Sequence, residues 1–179
     1  METAMHSPLF RGLEPEEIRT VLGCLAAWRR TYPKGAVIFS AGEPIRAMGL
    51  VERGSVFLES DDLWGNKTVL GRAGPGQVFG ESYACAPGEP LLVNAVAAQE
   101  TSVLFLEVGR LLTVCSQACG HHTALIRNLL EISAQKNLGL SRKIFYTRAK
   151  TIRGRLLAYL SDQALLQGSH SFAIPCHPL

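Results

Sequence analysis

The chain has 179 residues, of which 47% are hydrophobic and 18% charged, and a formal net charge of +3. This composition excludes disordered, collagen-like and purely coiled-coil chains, and the charge is too small to demand a polyanionic partner by itself. Five cysteines (Cys24, Cys85, Cys115, Cys119, Cys176) are odd in number and scattered. They argue for reduced thiols; with no secretory leader and no apolar run of about 18 residues, the chain reads as cytoplasmic and without a membrane span.

Along residues 14–28, Ile18, Val21, Leu22 and Leu25 recur at helical spacing behind Pro15, a good first helical residue. From Tyr32 the texture changes to short apolar runs separated by glycine and proline. Strand-length segments punctuated by turns predict an antiparallel β barrel or sandwich over roughly residues 30–107, with its last strands at residues 93–98 and 102–106. A short helix is expected near residues 108–115 and a long one over about residues 122–146. On the long helix Ile126, Leu130, Ser133, Asn137, Leu140 and Ile144 follow one another at steps of 4, 3, 4, 3 and 4. That is a two-heptad seam with a polar middle, suited to a partner helix in a homodimer. Leu125, Leu129 and Ile132 form a second stripe, expected to face the chain's own β unit. A last helix is predicted over residues 151–166, carrying Ile152, Leu156, Leu157, Tyr159 and Leu160. Phe172 and Ile174 look like the start of a strand with nothing left to pair with it, so the sequence reads as cut inside a second domain.

Catalysis has no evident set of residues: no nucleophile elbow, P-loop or dinucleotide fingerprint is present. A metal-binding barrel needs histidines in its strands, and none of His6, His121, His122, His170 and His177 falls in the β unit. The run Cys115-Ser-Gln-Ala-Cys119-Gly-His121-His122 has ligand types at short spacing, but Gly120 interrupts it and no second ligand pair exists, so half-buried thiols describe it better. No metal and no cofactor is expected. From Arg142 to Arg155 there are six basic residues and no acidic one. That run is either a solvated helix face or a flank, with Lys150 and Arg153 foremost, that contacts nucleic-acid phosphates. A non-catalytic binding module is the indicated class.

Three β-unit segments then stand together: Tyr32-Pro-Lys-Gly-Ala-Val-Ile-Phe-Ser-Ala-Gly-Glu-Pro44, Gly49-Leu-Val-Glu-Arg-Gly-Ser-Val56 and Pro75-Gly-Gln-Val-Phe-Gly-Glu81. The long helix follows them, and then Thr151-Ile-Arg-Gly-Arg-Leu-Leu-Ala-Tyr-Leu160. In this order and spacing the chain resembles the cyclic-AMP receptor/fumarate-nitrate regulator (CRP/FNR) family of transcription regulators. The resemblance implies an α+β architecture: a jelly-roll-like β-roll sensor domain over residues 1–114, a central dimerisation helix over 115–148, and the start of a winged helix-turn-helix DNA-binding domain over 149–179. It implies a homodimer, DNA as the partner of the full-length protein, RNA polymerase as a further candidate partner, and a small-molecule effector held by Gly80, Glu81 and Ser82, by residues of the following loop, and by Ser133 and Asn137 of the central helix. Members that bind cyclic nucleotides follow Gly-Glu, about ten residues later, with an arginine that neutralises the phosphodiester. Here that position falls on Leu91 or Leu92, and the next on Leu92 or Val93. Loss of one charge-assisted pair costs about two or more powers of ten in affinity. The cassette therefore disfavours cyclic AMP and favours a less charged, more apolar effector, although Arg46, Arg53 or Arg72 could in principle supply a charge. Ser133 and Asn137 have a second reading as register residues of the dimer seam.

Overall fold

A computed structural model describes residues 6–62, 64–112, 120–169 and 171–172. The chain divides into two compact units, Met1–Ser133 and Ala134–Leu179.

The first unit begins with a single 3-10 turn (Pro8–Phe10), capped by Ser7, and helix α1 (Pro15–Cys24). Pro15 opens α1, and the Glu14 backbone N–H donates to Glu17 Oε2 at 2.8 Å, so the first turn is capped from within the sequence. The helical pattern does not extend to Trp28 as expected. Ala26 takes a positive φ of 46°, which ends the helical path, and Trp28 starts strand β1 (Trp28–Tyr32).

Seven further strands follow: β2 (Val37–Phe39), β3 (Ala47–Arg53), β4 (Val56–Asp61), β5 (Lys67–Ala73), β6 (Val78–Phe79), β7 (Asn94–Ala97) and β8 (Thr101–Glu107). Helix α2 (Glu81–Ala84) interrupts them and α3 (Val108–Leu112) follows them. The strands form two four-stranded antiparallel sheets, β1-β8-β3-β6 and β2-β7-β4-β5. The β roll expected from the sequence is present.

The two central strands of the first sheet, β3 and β8, are buried on both faces because they carry apolar residues on both sides of the pleat. Met48, Leu50, Leu104 and Leu106 pack with Leu9, Phe10, Ile18, Val21, Leu25, Leu125 and Leu129 in one core. Their neighbours Ala47, Val51, Val103 and Phe105 pack with Val56, Ala95 and Ala97 in a second core between the sheets. Helices, first sheet and second sheet are thus three layers.

Helix α4 (Gly120–Thr147) contributes its first half to this unit. His122, Leu125, Asn128 and Leu129 are buried and Ile132 packs against the helical core, while Ile126 and Leu130 are exposed. In the second unit the later part of α4 meets α5 (Ile152–Gln167): the Tyr146 hydroxyl bonds the Asp162 carboxylate, and the Tyr146 and Tyr159 rings meet edge-to-face at 5.5 Å. Thr151 caps α5 by accepting from the Gly154 N–H at 3.1 Å. Phe172 follows without strand pairing, and Ile174 lies outside the described residues, as do Cys115, Cys119 and Cys176. Among the described residues no helix is long and apolar enough to cross a membrane.

The double-sided burial of β8 has a measurable consequence. Leu104→Ala, at a fully buried position, is expected to cost about 3 kcal/mol in urea unfolding. Trp64→Ala, at a side chain 85% exposed on the β4–β5 turn, is expected to cost less than about 0.5 kcal/mol.

Candidate effector site

The site is built where β6 turns into α2. Gly80 joins the two with φ of 74°, and a Cβ there would press on Ile45 and Phe39. Both the backbone conformation and the space select glycine. Phe39 in turn packs on Phe79 (ring centroids 5.5 Å apart) and Phe105 (5.8 Å), so the turn rests on an aromatic floor. Glu81 opens α2 and is only 4% exposed, whereas Ser82 is exposed. Burial, and then the nearby Glu81 carboxylate, push the Cys85 thiol up from its ordinary range, so it stays protonated at neutral pH.

The loop after α2 is fastened by its backbone. Leu91 donates its N–H to the Glu43 carbonyl (3.1 Å) and accepts from the Gly42 N–H (2.8 Å), beside an antiparallel bridge between Pro44 and Pro90. The Leu92 N–H donates to the Tyr83 hydroxyl at 3.4 Å. Leu91 is buried, Leu92 is 77% exposed and Val93 is half-buried. Of the two leucines that the sequence left open for the arginine position, Leu91 is therefore the one packed into the protein.

Of the three arginines considered as replacements, two have partners of their own and the third is exposed. Arg53 pairs with Glu100 at 2.6 Å, Arg72 donates to the Ser55 hydroxyl at 3.2 Å, and Arg46 is exposed. At the turn end of the β4–β5 hairpin the Lys67 ammonium sits 2.8 Å from the buried Glu59 carboxylate and 3.3 Å from Asp61. It too is held by carboxylates. Among the described residues no group of three histidine, cysteine or acidic side chains could hold a metal ion.

On α4, Ser133 is half-buried and ends the first unit, whereas Asn137 is exposed and belongs to the second. Leu140 and Ile144, the later seam residues, are 59% and 60% exposed, and Leu138 and Phe145 are exposed beside them. Lys150 is exposed just before α5 and Arg153 is exposed in its first turn. Gly120 is the first residue of α4, and the His121 imidazole Nδ1 lies 3.3 Å from Glu17. Sequence reasoning missed Tyr83, which fastens the loop, and Asn128, a polar residue between Leu125 and Leu129 on the inward face of α4. That interruption of the stripe was the available signal.

The family description "Cyclic nucleotide-binding domain" matches residues 29–118. Over 100 residues the chain is 41% identical to the cyclic AMP receptor protein of Thermus thermophilus, covering 56% of this chain and 45% of that protein. Over 111 residues it is 37% identical to a cyclic nucleotide-gated potassium channel of Mesorhizobium japonicum, covering 62% of this chain and 28% of the channel. The crystal structure of the Thermus thermophilus catabolite activator protein superposes with a TM-score of 0.62 at 31% identity, over 90% of this chain and 72% of that one. The chain belongs to the cyclic nucleotide-binding domain family. Within that family its relatives include regulators of the cyclic-AMP receptor type, and it spans less than half the length of the curated relatives it matches.

Gly80→Ala should destabilise the protein by about 1–3 kcal/mol, since it adds both backbone strain and a clash on the aromatic floor. Gly12→Ala, also at positive φ but in open space, isolates the backbone part, and a smaller loss is expected in thermal unfolding.

Proposed function

We propose that the chain is the effector-sensing and dimerising part of a DNA-binding transcription regulator of the cytoplasm, without catalytic activity of its own. The observation that carries this reading is the second apolar stripe of α4. Ile126, Leu130, Leu140 and Ile144 are all at least 40% exposed, in addition to the stripe that is spent on the core. A helix with apolar residues left over at heptad spacing suits a second copy of itself. Similarity to a catabolite activator protein over 90% of the chain, a span that exceeds the sensor domain alone, supports a regulator over a channel module.

In this reading the effector sits against Gly80, Glu81, Ser82, Leu91, Leu92 and Val93, with Ser133 and Asn137 available from the helices. The arginine position of cyclic-nucleotide binders falls on Leu91 or Leu92 here; Leu91 is buried, and a leucine at that position favours an uncharged ligand over cyclic AMP. Binding would stabilise one arrangement of the paired helices over another and so re-aim the DNA-binding domains, by the ligand's differential affinity for the two states. Lys150 and Arg153 would contact DNA phosphates in the full-length protein, with RNA polymerase as a further partner. Such phosphate contacts would position DNA without specifying its sequence.

Sedimentation velocity tests the dimer. The wild-type chain is expected to run as a dimer, and Leu130→Glu is expected to weaken it about tenfold or more while the circular dichroism spectrum is kept. A wild-type chain that stays monomeric at high micromolar concentration would contradict the assignment.

A further inference from the structure

Helix α4 and the turn that leads into the effector cassette are joined through the N-terminal 3-10 turn. Asn128, 7% exposed on the inward face of α4, donates from Nδ2 to the Leu9 carbonyl at 3.0 Å and to the Arg11 carbonyl at 2.9 Å. One turn further along the helix Glu131 forms an ion pair with Arg11 at 3.2 Å. At the other end of the 3-10 turn, Ser7 Oγ donates to the Gly76 carbonyl at 2.6 Å and accepts from the Leu9 N–H at 3.2 Å. Gly76 is four residues before Gly80, and its own N–H is bonded to the Val51 carbonyl of β3 at 2.8 Å. Between the two ends, Leu9 and Phe10 are essentially fully buried in the helical core with Leu125 and Leu129.

From this we propose that the segment from Ser7 to Arg11 is a rigid strut, with Asn128 and Ser7 as its two positioning residues, that passes displacement of the cassette turn to the first half of α4. Its use in signalling rests on the effector role proposed above; the mechanical link itself does not. Three physical features support it. Asn128 is a buried amide whose two N–H groups are both used on the backbone of one short segment, so removing it strands two carbonyls. A 3-10 turn anchored by two buried apolar side chains cannot take up slack by local bending without opening the core. The bond from Ser7 Oγ to the Gly76 carbonyl ties the segment to the β5–β6 turn at a short distance and in a buried place.

Amide hydrogen exchange on the intact chain, with no ligand added, tests the strut. Ser7→Ala removes the donor at the cassette end and leaves the helix end untouched. The expected result is a loss of protection of about tenfold at residues 125–132 of α4, with the β4–β5 ladder unchanged. Asn128→Ala is expected to produce the reciprocal loss at residues 76–84. Ser7→Thr, which keeps the hydroxyl, is expected to restore protection. Loss confined to residues 7–13 in both variants, or spread evenly through both sheets, would overturn the proposal. Because no effector enters the experiment, failure of the effector reading leaves the outcome readable.

Discussion

Everything in the first unit is arranged around the pairing of β3 with β8. Six residue pairs hold the two strands together, from Ala47 opposite Glu107 to Arg53 opposite Ser102. Strands buried on one face alternate apolar and polar residues; these two are apolar on both, which forces a layer onto each side. Met48, Leu50, Leu104 and Leu106 demand the helices, and Ala47, Val51, Val103 and Phe105 demand the second sheet. A one-residue slip would exchange the two sets and set the bulky leucines against the tight space between the sheets. The helical layer that β3 and β8 require is also the layer that fixes the first half of α4, so the first sheet and that half of α4 share one core.

In the effector reading proposed above, the candidate site keeps a scaffold and exchanges its chemistry. The positive φ of Gly80, the aromatic floor beneath it and the buried Glu81 preserve the geometry of a cassette. Leu91 is held by two backbone bonds to residues 42 and 43, and in the proposed reading its hydrocarbon side chain stands where a cyclic-nucleotide binder would need a guanidinium. A phosphodiester enclosed there would lose its water without gaining a counter-charge, and desolvation would oppose its entry. Arg53, Arg72 and Lys67 are bonded to Glu100, Ser55, Glu59 and Asp61.

Much of this was legible in the residues, and for definable reasons. Strand texture punctuated by glycine and proline reports local backbone preference, so the β unit and its limits came through. The two stripes of α4 were readable because helical spacing alone fixes which residues share a face; Leu125 and Leu129 are buried while Ile126 and Leu130 are not. The end of α1 was missed because Ala26 adopts a positive φ that alanine rarely takes, and no residue pattern announces it. Strand order was beyond reach, since the β1–β8 and β3–β8 pairs are long-range. Which of Leu91 and Leu92 packs inward depended on backbone bonds to Gly42 and Glu43, and the part played by Asn128 on carbonyls more than a hundred residues away.

The claim that the cassette has exchanged charge recognition for apolar contact is tested most directly by isothermal titration of the purified chain with cyclic AMP. The expected result is binding weaker than micromolar, or no saturable heat at all. A sub-micromolar dissociation constant with saturable heat would contradict it, because some cation would then have to meet the phosphate where the structure places Leu91.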